Sequence, residues 1–200
     1  MDIPSAMDDS DGDLWSRSRG GDAAAFGRLF ERHARAIYNY CFRRLGEWGA
    51  AEDALSLVFL EAWRRRDQEL AADSVLPWLY GIATNVVRNR RRSERRFRAA
   101  LARLPQAPPE ADFEEAADAR LDDERQMKEA LTLLARLPRR EQDVWVLCAW
   151  SGLSYGDASL ALRIPVGTVR SRLSPARRHL LELDRGRGHE RGGTSTIKET

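Results

Sequence analysis

Apolar residues in this chain recur at steps of three and four, and no stretch of useful length alternates with period two. From Asp22 the series runs Phe26, Leu29, Phe30, His33, Ile37, Tyr40, Cys41, Leu45. That spacing lays a stripe along one side of a helix and excludes a half-buried strand. The same spacing returns in Ala54, Leu57, Val58, Leu60, Ala62 and Trp63, and in Trp78, Leu79, Ile82, Ala83, Val86 and Val87. It returns again in Met127, Ala130, Leu131, Leu134 and Leu137. A chain patterned this way packs helix on helix, and its 32 % of charged residues supplies their solvated faces.

Punctuation sets the limits of these helices. Asp22 suits an N-cap, and Gly46 with Gly49 closes the first helix. A second helix is expected from about Ala50 to Gln68, then a polar loop from Asp67 to Ser74. A third starts near Pro77, which suits a first helical position, and runs into the arginines between Arg88 and Arg98. Between Arg98 and Asp118 the periodicity dissolves among Pro105, Pro108, Pro109 and acids. Beyond it, Pro138 stops one helix, Glu141 to Trp150 forms another, and Gly152 is its C-terminal stop. Ser154 caps Tyr155 to Leu162, Arg163 to Pro165 turn, and Val166 to about Leu183 makes the last helix.

The expectation is an all-α fold of two small helical domains, 13–98 and 119–183. A flexible acidic linker, 99–118, joins them. Tails at 1–12 and 184–200 are expected to be disordered. The net charge of +2 argues for no partner class. Its distribution argues more: acids crowd the N-terminus and residues 110–124, and arginines crowd 88–98 and 163–178.

Several function classes are disfavoured. His33, His179 and His189 lie at no triad-like or metal-like spacing, and no glycine-rich loop follows a strand. The chain is therefore expected not to be an enzyme and to need no cofactor. Cys41 and Cys148 sit in apolar helical patterns without ligand spacing, and read as buried reduced thiols. No run approaches ~20 apolar residues, and the N-terminus is acidic, so a cytoplasmic protein without membrane insertion is expected.

Two constellations carry function. The segment GLSYGDASLALRIPVGTVRSR (Gly152–Arg172) has helix-turn-helix organisation. Ala158, Leu162, Ile164 and Val169 are spaced to form the small core between its two helices. Thr168, Arg170, Ser171 and Arg172 then fall near the start of the second helix, which enters a major groove in such units. An ordinary helical hairpin with a charged face is the alternative. The second constellation, LPWLYGIATNVVRNRRR (Leu76–Arg92), leads from an aromatic and aliphatic face into Asn85, Arg88, Asn89 and further arginines. Asn can read base edges, arginine neutralises phosphate, and Trp78 can stack an unpaired base.

Both segments, with AEDALSLVFLEAW (Ala51–Trp63) before them, resemble the extracytoplasmic-function sigma factors of bacterial RNA polymerase. The likeness spans roughly Asp22 to Leu183. It implies that Ala51–Trp63 docks on polymerase, with Asp53 against the clamp of the largest subunit and Phe59 and Trp63 on the same helix. It implies that Asn85, Arg88, Asn89 and Trp78 face the minus-ten element, and that the loop Gln68–Val75 captures a flipped base. Thr168, Arg170, Ser171, Arg172 and Arg177 would read the minus-thirty-five element. The partners so implied are core polymerase, including the flap of its second-largest subunit, and promoter DNA. An anti-sigma factor is a further candidate that the chain itself does not mark. A free-standing repressor could use the same helix-turn-helix, but would need a dimer face or ligand pocket where this chain has the docking-like helix.

Three departures from the family's usual pattern stand out. Ser56 and Leu57 replace a Gln and a Glu. Asp157, Ala158 and Ser159 replace an acid-containing triplet. Ser174 and Pro175 stand where the recognition helix usually continues with an arginine. Pro175 is expected to kink or restart that helix.

Overall fold

A computed structural model describes residues 9–71, 74–103 and 118–191, with only the backbone at 118–120 and 183–191. The elements are α1 (Asp11–Arg19), α2 (Ala23–Leu45), α3 (Trp48–Arg64), α4 (Val75–Leu101), α5 (Asp118–Leu134), α6 (Arg139–Trp145), α7 (Tyr155–Leu162) and α8 (Val166–Arg191). A wider π turn, Val146–Trp150, continues α6. Among the described residues there is no strand.

Local chemistry explains both ends of α2 and of α7. Asp22 caps α2 by accepting from the amides of Ala24 and Ala25, both at 3.0 Å. Gly46 ends it with φ +75°, and its own amide donates to the Phe42 carbonyl. Ser154 caps α7 by accepting from the Asp157 amide at 3.1 Å. Arg163, at φ 54°, makes the left-handed turn out of α7.

The acidic N-terminus departs from expectation. Residues 9–12, assigned to a disordered tail, are tied down. Ser10 and Asp13 form a reciprocal capping box at the start of α1. Asp9 pairs with Arg17 and Arg28, while Asp11 pairs with Arg32 and lies 2.7 Å from His33 Nε2. Leu14 and Trp15 then bury fully in the first bundle, Trp15 with its ring against Trp78 of α4. The first domain therefore begins before residue 13. The C-terminal boundary moves as well. The backbone of α8 stays helical to Arg191, eight residues past the expected end. Residues 1–8, 104–117 and 192–200, which hold most of the expected linker and tails, lie outside the described residues.

One proline expectation changes and another is narrowed. Helix α4 starts at Val75, so Pro77 takes its third position, where an amide donor is still not needed. Helix α8 runs through Pro175 as a single element rather than restarting there.

Helices α1–α4 form the first bundle, with Leu29, Ile37, Tyr40, Val58, Leu79 and Val87 at its centre. Helices α5–α8 form the second, around Leu134, Val144, Leu147, Val169 and Leu173. The two bundles pack on each other. Helix α4 lies against α7, and α2 against the π turn, so the apolar cores run together. The close approach is at Gly81, where a β-carbon would stand 2.7 Å from the Ala161 carbonyl oxygen.

Candidate nucleic-acid and polymerase interface

Helix α7, the Arg163 turn and the start of α8 form the helix-turn-helix. Ala158 and Val169 are fully buried between its helices, with Leu162 and Ile164 packed at the margin. Ile164 is held at the turn because its amide donates to the Ser159 carbonyl, while Ser159 Oγ donates to the Ile164 carbonyl. Arg170, Ser171 and Arg177 project to solvent from α8, and Thr168 and Arg172 are half-buried. Ser171 Oγ donates to the Thr168 carbonyl at 3.1 Å, a bond it can exchange for an external acceptor. The Arg170 guanidinium sits 5.8 Å from the centre of the Tyr155 ring. Tyr155, Arg170, Arg177 and Arg178 line one concave basic surface of about 550 Å³.

On the first bundle, Asn85 and Asn89 are both exposed one turn apart on α4. With Leu57, Leu60, Arg64, Arg90 and Arg96 they line a groove of about 610 Å³ between α3 and α4. Trp78 is half-buried, and its indole Nε1 donates to Gln68 Oε1 at 3.2 Å. Arg88 is half-exposed but engaged. Its Nη2 and Nε lie 2.5 and 3.2 Å from Asp143 Oδ2, on the second bundle.

The residues expected on the polymerase-docking helix separate. Asp53 is 69 % exposed and loosely paired with Arg90 at 3.2 Å. Trp63 is half-buried against Phe26 and carries the Arg66 guanidinium 4.5 Å from its ring centre. Phe59 departs from expectation: only 5 % exposed, it packs edge-on against Phe26 and Phe30 in the core. It cannot meet a partner without unpacking α3 from α2. The large apolar side chains that α3 does expose are Leu57 and Leu60.

The contact between the bundles was not signalled by the sequence pattern. The buried Asp143 carboxylate faces Arg44 at 2.9 Å and Arg88 at 2.5 Å. Arg43 donates to the Trp150 carbonyl, and Arg91 to the Arg44 carbonyl. Burial, then the neighbouring Arg44 charge, pulls the Arg91 guanidinium down to about 10. Trp48 donates its amide to Glu124 Oε1 at 2.8 Å. A glycine inside the otherwise unbroken α4 pattern was the available hint, since it marks a close backbone approach.

Cys41 is buried and its thiol is pushed up to about 12 by desolvation. Cys148 is half-buried and raised for the same reason. Among the described residues no group of His, Cys, Asp and Glu could hold a metal. No described helix is long and apolar enough to cross a membrane.

Comparison with known proteins places both bundles. A family described as Sigma-70 region 2 matches residues 29–97, and Sigma-70, region 4 matches residues 127–180. The ECF RNA polymerase sigma factor SigL of Mycobacterium tuberculosis is 31 % identical over 169 residues, 82 % of this chain and 92 % of that protein. The RNA polymerase sigma factor CarQ of Myxococcus xanthus is 29 % identical, over 84 % of this chain and 93 % of its own. Among solved structures, CnrH in complex with the cytosolic domain of CnrY superimposes with a TM-score of 0.65. The two are 26 % identical, over 89 % of this chain and 99 % of CnrH. The fold also matches RpoE of Bartonella quintana at a TM-score of 0.58 and 21 % identity, over 80 % of this chain and 96 % of that one. The chain belongs to the extracytoplasmic-function family of RNA polymerase sigma factors, which recognise promoters for the polymerase and perform no covalent chemistry of their own.

Proposed function

We propose that this sigma factor divides its work between its two bundles. The α3–α4 side of the first docks on the clamp of the largest polymerase subunit through Asp53. It receives the melted minus-ten strand along Trp78, Asn85, Arg88 and Asn89. The helix-turn-helix reads the minus-thirty-five duplex through Thr168, Arg170, Ser171, Arg172 and Arg177, while the second bundle rests on the flap of the second-largest subunit. The observation that carries this reading is the exposed Asn85–Asn89 pair at a basic groove, on the helix next to an independent basic helix-turn-helix.

Melting costs a few kcal/mol for each unstacked base. Stacking and hydrogen bonds along α4 offset part of that cost. The proposal includes a parting of the bundles. Two elements centred roughly 25 base pairs apart are separated by ~85 Å at 3.4 Å per pair. Helices α4 and α7 touch at Gly81 and Ala161, so the closed form cannot occupy both elements. Arg88 is then released from Asp143 and becomes available to phosphate. A regulatory protein that holds the closed form is a further part of the proposal, supported by the CnrH complex with CnrY.

In vitro transcription with purified core enzyme and a promoter selected from start-site mapping tests this reading. Asn85→Ala with Asn89→Ala is expected to impair opening more than duplex binding. Arg170→Ala is expected to impair duplex binding. Equal effects of both on both steps would overturn the division of labour.

A further inference from the structure

Nothing in the apolar periodicity assigns α1 a role, yet α1 builds the back of the Trp78 surface. Trp15 is 2 % exposed. Its indole Nε1 donates to the main-chain carbonyl of Gln68 at 3.0 Å. Its ring meets the Trp78 ring edge-on, with centroids 4.8 Å apart and an interplanar angle of 63°. Trp78 in turn donates its own Nε1 to the Gln68 side-chain oxygen at 3.2 Å. Three residues from three separate elements thus close a ring, in which one indole holds the Gln68 backbone and the other its side chain. The Gln68 amide is also tied, to the Arg65 carbonyl at 3.1 Å. Further along α1, Arg19 reaches Glu69 at 3.3 Å, an exposed pair of little strength by itself.

We infer that Trp15 is a positioning residue for the unpaired strand of the minus-ten element, acting through Gln68 and Trp78. The inference rests on the reading of Trp78 as a minus-ten contact. An indole receives an unstacked base best when its plane is already fixed, because the ordering cost is then met in the free protein. Trp78 is half-buried, and Gln68 lies outside both α3 and α4, so each gains from a restraint that its own helix does not supply. Trp15 supplies both restraints from behind, without itself reaching DNA. Any buried indole N–H takes an acceptor, and the choice of acceptor decides what the ring holds in place. This one is aimed at the carbonyl where the chain leaves α3 for α4.

The test uses reconstituted holoenzyme and a single-stranded minus-ten oligonucleotide carrying 2-aminopurine, whose fluorescence reports unstacking and capture. Trp15→Phe keeps a ring against Trp78 and removes the N–H donor. Trp15→Leu removes both, and Trp78→Ala controls for the underlying reading. All are measured well below each variant's own unfolding midpoint. Trp15→Phe is expected to weaken capture about 3- to 10-fold, the range of one net hydrogen bond. Trp15→Leu is expected to weaken it further, and binding of duplex minus-thirty-five DNA is expected to stay at the native level. Native capture by both Trp15 variants beside an impaired Trp78→Ala overturns the inference and leaves the minus-ten reading standing. Native capture by Trp78→Ala removes the reading and the inference with it. Parallel loss of single-strand and duplex binding in Trp15→Phe assigns Trp15 to general folding and also overturns the inference.

Discussion

Replacing Gly81 by Ala sets two effects of one methyl group against each other. The new β-carbon would lie 2.7 Å from the Ala161 carbonyl oxygen, 3.4 Å from its carbonyl carbon and 3.5 Å from its Cα. A carbon meets a carbonyl oxygen comfortably at about 3.3–3.6 Å, so α7 must retreat by ~0.6–0.9 Å. The obstructing atoms are all backbone, and no side-chain rotation relieves them. Overpacking of this kind costs about 1–3 kcal/mol. Ala also favours the interior of α4 by ~0.5–1 kcal/mol over Gly, but it does so whether or not the bundles touch. The closed arrangement is therefore weakened about 5- to 150-fold relative to the parted one, while the first bundle becomes more stable. Dyes at the exposed positions Glu31 and Arg136, one on each bundle, would report this by energy transfer. Transfer is expected to fall, and thermal unfolding to separate into two steps. Unchanged transfer with a single, higher midpoint would mean that α7 accepts the methyl group without retreat, and would refute the reasoning.

Other outcomes follow from single side chains. Asp53→Arg reverses an exposed charge and is expected to weaken core binding on the order of tenfold, while stability stays within ~0.5 kcal/mol; titration of labelled sigma with core checks both. Arg170→Ala is expected to lose about 1–3 kcal/mol for its preferred duplex and to relax selection at one promoter position. A uniform loss over all sequences, with the salt slope reduced by about one, would reassign it to phosphate. Pro175→Ala restores an amide donor inside α8 and is expected to raise the thermal midpoint of the second bundle. Cys41, with its thiol pushed up to about 12, is expected to react with thiol reagents at pH 8 only after unfolding. Cys148 should react in the native protein, more slowly than a free thiol.

The sequence made legible what is decided within a few residues. The ends of α7 follow from Ser154 and Arg163, both local, and the expected span matches the observed one. Helix α1 was missed because it offers two adjacent apolar residues, Leu14 and Trp15, in nine, which is no period at all. Its capping box was present, but with Asp13 in the place where Glu or Gln gives the usual signal. Helix α3 shows a subtler limit. Its apolar residues cover more than one stripe, and periodicity cannot say which stripe meets a neighbour. Phe26 and Phe30 of α2 draw Phe59 inward and leave Leu57 and Leu60 outside. The contact between the bundles was the least legible feature. Gly81 hints at a close approach but not at its partner, Asp143 breaks no pattern, and the significance of both lies in residues far away along the chain.

The Arg44–Asp143 pair gives the energetics of that contact a sign. Both side chains are about 4 % exposed. The 2.9 Å approach of Arg44 Nη2 to Asp143 Oδ1 is an ion contact without the geometry of a directed hydrogen bond. Oδ1 and the Nε and Nη1 atoms of Arg44 have no hydrogen-bond partner among the described residues. One carboxylate also serves Arg88, in a neighbourhood that already holds Arg43 and Arg91. Charges desolvated this fully but compensated this incompletely favour separation, since parting the bundles returns them to water. Removing Asp143 alone, as Asp143→Leu, strands Arg44 in the interface and is expected to destabilise the closed form by about 3–5 kcal/mol. Removing both charges, as Arg44→Met with Asp143→Leu, is expected to stabilise it by ~1–4 kcal/mol. The two variants share one substitution and should move in opposite directions. In the energy-transfer assay the single variant should open and the double variant should close beyond the native level. With core enzyme, the double variant should initiate less from a promoter that needs both elements. If both variants open the protein alike, Asp143 acts through packing rather than charge, and the buried pair does not poise the two bundles to part.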